Sequence, residues 1–185
     1  MATTFKNALS PNIGTTPIIV YTAGTNVKVT VLGISLSNNT SSFVTVSVIV
    51  TDPTPSGTIV GTVANASNTI TNVNSFSELS TGSVLTGAYI PANTTVLGLN
   101  NTGQQSTSTI TMSATATGAA TEQITFTSST PVSAYYVNNV ILPPNQSIRV
   151  INGGERLVLG ASNTLSIVSN TASSVDAVVS LVEIV

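Results

Sequence analysis

Val44, Val46, Val48 and Val50 recur at every second position, with Thr45, Ser47 and Ile49 between them. A period of two places one set of side chains on one face of an extended strand, so the pattern predicts a β-strand over about 43–51. Upstream, Val27, Val29 and Val31 share one parity, whereas Leu32, Ile34 and Leu36 share the other. A one-residue change of phase beside Gly33 is the mark of a β-bulge, and Asn38-Asn39 with Ser41-Ser42 supply the following turn. The C-terminal part reads as a meander. Ile148 and Val150 precede a tight turn at Asn152-Gly153-Gly154. Leu157 and Leu159 follow, with a second turn at Gly160–Asn163, then Leu165 and Ile167, a loop over Ser169–Ser174, and a last strand from Val175 to Val185 with apolar residues of both parities. Ala134–Leu142 is a further strand, stopped by Pro143-Pro144-Asn145.

Between these halves the texture changes. From Pro53 to Thr130 the only charged residues are Glu78 and Glu122, and Thr, Ser, Asn, Gly and Ala dominate. Pro53 and Pro55 mark the entry and Pro131 the exit. We read 53–130 as an inserted β module on a loop of an outer domain made of 1–52 plus 131–185, since exposed loops with neighbouring ends tolerate insertions best. Strands are expected in the module near Thr58–Val63, Asn68–Val73, Ser83–Ile90, Thr94–Leu99, Thr107–Met112 and Glu122–Thr127. Residues 1–17 carry Pro11, Gly14 and Pro17 and little alternation, and are expected to form an N-terminal arm.

Composition sharpens the fold class. Val, Ile and Thr account for 70 of the 185 residues, and Thr, Ser and Asn for 74. β-branched side chains are stiff at χ1 and favour pleated surfaces, so the expected class is all-β: an antiparallel, jelly-roll-like β-sandwich with a small inserted β domain. Only ten residues are charged, four basic and six acidic, and there is no His, Cys or Trp. No disulfide can form, no metal site can be built on His or Cys, and no catalytic pair can use either residue. Four basic residues argue against neutralising nucleic-acid phosphates. No apolar run approaches the roughly 20 residues of a spanning helix, and the start of the chain lacks the apolar core of a signal peptide. The expectation is therefore no nucleic acid, no membrane and no cofactor.

Ala64–Ile70 and Leu79–Gly87 are followed by Ile90-Pro91-Ala92-Asn93-Thr94-Thr95-Val96, then by Thr109-Ile110-Thr111-Met112-Ser113 and Ala114–Gly118. Through these segments residues 64–127 resemble a module of tailed-bacteriophage structural proteins. The outer halves resemble small β-sandwich virion proteins of phages, through Ile18–Tyr21 leading into a strand that ends in Asn, then Tyr136–Leu142, Pro143–Ser147 and Glu155–Leu159. The resemblance implies a non-enzymatic virion protein. A capsid decoration (cement) protein is favoured, with a neck, tail or fibre component, or a sugar- or cell-surface-binding adhesin module, as the alternatives. It implies the major capsid protein or other virion subunits as partners, a location on the virion, and no catalytic, cofactor-binding or metal-binding residues.

The residues that bear chemistry agree with that expectation. The carboxylates Asp52, Glu78, Glu122, Glu155, Asp176 and Glu183 form no local pair such as a glycosidase needs. Asp52-Pro53-Thr54 has one carboxylate where a calcium loop wants several, so Asp52 reads as a turn residue. Glu155 and Arg156 read as solvated hairpin residues. Tyr21, Tyr89, Tyr135 and Tyr136 are candidates for stacking on sugars, with core or interface use the commoner role. The Asn-x-Ser/Thr triplets at Asn38, Asn39, Asn65, Asn93, Asn100 and Asn145 are what chance gives in a chain this rich in Ser and Thr. Charge-free stretches over 29–51, 79–121 and 123–148 leave few charges to guard strand edges, so a homo-oligomer is expected, with a trimer favoured. The arm and the adjoining sandwich face are expected to attach to the particle by apolar burial, with the insertion projecting outward.

Overall fold

The computed structural model describes residues 2–151 and 154–185, so the Asn152-Gly153 part of the predicted tight turn lies outside the described residues. The regular structure of the described residues is strand throughout, apart from one 3-10 turn over Gln105–Thr107. It divides into two units, Met1–Asp52 with Ser133–Val185, and Pro53–Val132.

The first unit is a β-sandwich. One sheet contains β1 (Thr3–Ile13), β15 (Val175–Ile184) and β3 (Lys28–Asn38), with the short strands β12 (Ser147–Arg149) and β13 (Leu157–Leu159) both on β3. The other runs β11 (Val132–Leu142), β4 (Val44–Asp52), β14 (Thr164–Ser169), β2 (Ile18–Thr22). Between them lies a core built from inward parities: Val29, Val31, Ile34 and Leu36 of β3, Val44, Val46 and Val48 of β4, Leu165 and Ile167 of β14, and Val175, Ala177, Val179 and Leu181 of β15. Full burial of a Val, Leu or Ile side chain stabilises by about 1.5–3 kcal/mol, so this stripe rather than any polar contact drives the unit together. The phase change in β3 is a bulge: Ser180 pairs with Gly33 and Leu181 with Val31, which leaves Leu32 unpaired and pushed outward.

Two expectations fail here. The N-terminal arm is a strand: β1 pairs with β15 from Thr3–Ile184 to Leu9–Val178, and Ile13 is fully buried. Its pattern hides it because its apolar residues Phe5 and Leu9 face away from the core. Pro11 fits because it lies at an edge, in a register shift between Ser10 and Ile13 where Asn12 takes φ 57°. The C-terminal meander is also overturned. β12 and β13 pair with β3 and not with each other, β14 crosses to the opposite sheet, and β15 inserts between β1 and β3. Alternation tells which face of a strand is buried; it carries no information about which strand lies alongside.

The second unit has its own core, including Ile59, Val63, Ile70, Leu85, Val96, Ile110, Met112, Ile124 and Phe126. Its strands run in the order β5 (Ser56–Val63), β10 (Ala120–Thr127), β7 (Val84–Gly87), β8 (Ile90–Asn100), β9 (Thr109–Met112), β6 (Thr69–Ile70). The ring closes where Thr62 and Thr71 exchange N–H···O=C bonds of 2.8 and 2.9 Å. This single bridge joins the two end strands of the sheet at one point, beside Thr62 of β5. The strand expected over Ser83–Ile90 instead stops at Gly87, because Ala88-Tyr89 form a hairpin turn. Two contacts hold that turn: the Ala88 N–H donates to Glu122 Oε2 at 2.8 Å, and the Tyr89 ring lies over Gly118, where a Cβ would come within 2.2 Å of it. The strand expected over Asn68–Val73 shortens to Thr69–Ile70.

Asn replaces Gly at many tight points. Asn12, Asn72, Asn93, Asn139 and Asn145 all have φ between 52 and 61°. Asn tolerates this left-handed region better than other residues with a Cβ, which gives the high Asn content a structural use.

Candidate interaction surfaces

The outward face of the β1-β15-β3 sheet follows from the pairing register. One row across it is Phe5, Val182, Thr30 and Val158; another is Leu9, Val178, Ser35 and Arg149; between them lie Asn7, Ser180 and Gly33. The bulged Leu32 lines shallow hollows on either side of itself, one with Phe5 and Asn7, the other with Ser35, Arg149 and Val178. Phe5 is 75% exposed, Leu9 70%, Val158 63%, Leu32 43% and Val178 41%. Single exposed apolar residues are ordinary; a contiguous set on one sheet face marks an interaction surface. The charges of this face lie at its margins: Lys28 and Asp176 stand in its two end rows, and Arg149 at the end of the row that begins with Leu9. The two apolar rows flank the bonded pair Asn7–Ser180, with charge only at the margin, a mixture of apolar and polar surface that protein interfaces share.

The rim of β1 is fastened by one polar cluster. Lys6 Nζ lies 2.7 Å from Glu183 Oε2, and the Tyr21 hydroxyl donates to Glu183 Oε1 at 2.6 Å. This ties the edge strand β1 and β15 to β2 of the facing sheet. The bonds from Lys6 and then Tyr21 hold the Glu183 carboxyl below the usual carboxylate range, while burial and then the Glu183 bond push the Tyr21 hydroxyl up. A carboxyl whose pKa is lowered by folding contributes stability above its unfolded value, and that contribution is lost as the pH falls through the folded value. Glu183→Gln is therefore expected to destabilise the sandwich near neutral pH, with the difference from wild type shrinking on acidification to about pH 3. Urea denaturation at the two pH values checks this; a difference that grows with acid would contradict it.

The other carboxylates do not converge. Asp176 Oδ1 accepts the Asn12 N–H at 2.9 Å, Glu122 holds the Ala88 turn, and Glu155 is exposed. Among the described residues no group of three or more acidic side chains is placed to hold a metal ion. Of the tyrosines, Tyr21 bonds Glu183, Tyr89 covers Gly118, Tyr136 packs against the sandwich core, and Tyr135 is 60% exposed. Asn38 is buried and fully engaged in hydrogen bonds, so its triplet is no acceptor for a glycan.

Sequence reasoning missed Phe5, Leu9 and Leu32 as one surface, since their joining depends on β1 pairing beside β15. The signal available was the parity of Phe5 and Leu9, which match each other across Asn7. Compared with known proteins, the chain matches no family model, no curated sequence and no solved structure.

Proposed function

We propose that the chain is a non-enzymatic structural subunit of a bacteriophage virion, a capsid decoration protein seated through the outward face of the β1-β15-β3 sheet. The observation that carries this reading is the apolar set Phe5, Leu9, Leu32, Val158 and Val178 on one face of a chain that has ten charges in all. Such a face is stable in water only at a cost, and burial against a partner at about 25 cal/mol per Å² of apolar area offsets it. The sequence resemblance of 64–127 to phage structural modules supports a particle as the partner. A seat in the neck, tail or a fibre would use the same face. Self-association belongs to the same reading: β11 ends its sheet with eleven residues and no charge, an edge open to pairing with another copy.

Attachment of this kind depends on apolar area and little on ion pairs, so it resists salt. The test is rebinding of the purified protein to particles that lack it. Wild type is expected to bind equally at low and high salt, and the Phe5→Asp/Leu9→Asp variant to stay folded, because both sites are exposed, and to lose binding. A variant that binds as wild type does, or binding that high salt abolishes, contradicts the proposal.

A further inference from the structure

The opposite outward face, that of the β11-β4-β14-β2 sheet, carries a different kind of site. Tyr135 stands on it between two hollows and is the one residue that lines both. The first, about 280 Å³, is lined by Pro17, Ile49, Thr51, Ser133 and Ser166 besides Tyr135. The second, about 310 Å³, is lined by Thr45, Ser47, Asn138, Asn139, Val168 and Asn170. Each is near the lower end of the range for small-ligand sites. Neither contains a charged side chain.

The polar groups lining these hollows have capacity to spare. Ser166 lines the first hollow, and its hydroxyl makes no hydrogen bond among the described residues and is open to the hollow. In the second hollow Asn138 Oδ1 accepts from Ser47 Oγ at 3.1 Å, and Asn170 Oδ1 accepts from the Thr45 N–H at 2.9 Å. Both side chains are thereby fixed with their amide NH₂ donors still available. The Thr51 and Ser133 hydroxyls are bonded to each other at 2.8 Å and retain acceptor capacity.

We propose that this face binds a short neutral oligosaccharide, with a sugar unit on either side of Tyr135. A pyranose offers an apolar C–H face and a girdle of hydroxyls that both donate and accept. The exposed tyrosine ring and Ile49 suit the first; Ser166, Asn138 and Asn170 suit the second. The absence of charge in both hollows disfavours phosphorylated, nucleic-acid or acidic-peptide ligands, each of which needs a cation. A peptide adding to the sheet would dock along an edge strand and not across the face. The inference stands apart from particle attachment, which uses the other sheet.

The experiment is titration of the full chain with maltotetraose, cellotetraose and chitotetraose, with sialyllactose as a charged comparator, followed by tyrosine fluorescence and by NMR. At least one neutral tetrasaccharide is expected to bind saturably at millimolar concentrations. Tyr135→Ala should abolish that binding. Ser166→Ala should weaken it roughly tenfold without loss of stability, because the hydroxyl it removes has no partner in the protein. Tyr136→Phe should bind as wild type does. No saturable binding of any neutral tetrasaccharide, binding of sialyllactose alone, or binding that survives Tyr135→Ala would overturn the proposal.

Discussion

Replacing Asn38 with leucine is expected to lower the stability of the sandwich unit by about 3–4 kcal/mol, far beyond the effect of a typical surface substitution. Asn38 closes β3 and is 3% exposed. Its Nδ2 donates to the carbonyls of Ser42, Leu142 and Pro143 at 2.8, 3.1 and 3.0 Å, and its Oδ1 accepts from the N–H and hydroxyl of Thr40, both at 2.8 Å. One side chain thus fastens the β3–β4 turn to the end of β11. Leucine fills similar volume and leaves these groups without their partner, including the buried carbonyl of Leu142. Aspartate is expected to be no better, because it keeps the acceptor and turns a second oxygen toward three carbonyls. Asn39→Asp is the control: Asn39 is exposed, and its change should stay within about 0.5 kcal/mol. Chemical denaturation monitored on the sandwich unit reads all three; an Asn38→Leu variant as stable as the control would show that the network contributes little.

Deleting residues 2–13 is expected to leave a protein that aggregates. An arm could be trimmed without harm, but these residues contain a strand. The deletion removes the ladder between β1 and β15, takes the buried Ile13 from the core, and turns β15 into the sheet edge. That new edge has ten residues with apolar side chains of both parities, including Val178, Val179, Leu181 and Val182, and only Asp176 and Glu183 as charges. Nature protects edges with charge, proline, bulges and short length, and β1 as an edge supplies Lys6, Pro11 and the bulge at Asn12. Size-exclusion chromatography after expression should show aggregate or no soluble protein. A soluble, cooperatively folding truncation would mean that β1 is dispensable to the sandwich.

The contrast between β1 and β4 shows what could be read from the sequence. In β4 the valines face the core and alternate with Thr and Ser, so side-chain period and burial agree, and the strand is evident from the residues alone. In β3 the shift of phase at Leu32-Gly33 reveals the bulge for the same reason. In β1 the inward positions are Thr4, Lys6, Ala8 and Ser10, while Phe5 and Leu9 face out, so no apolar stripe announces a buried side. Pairing partners were hidden throughout. The closure of the second unit rests on two hydrogen bonds between Thr62 and Thr71, backbone groups that side-chain identity does not report. The candidate surfaces share this limit. Phe5 and Leu32 are 27 positions apart and meet only through β15, and Tyr135 and Ser166 line one hollow only because β11 and β14 flank β4.

If the chain is, as proposed, a structural part of a phage particle, the quantitative composition of purified particles shows it most directly: the chain is expected in a fixed ratio to the shell subunit, retained through repeated high-salt washing. Particles that lack the chain, or that carry variable amounts removed by salt, would contradict it.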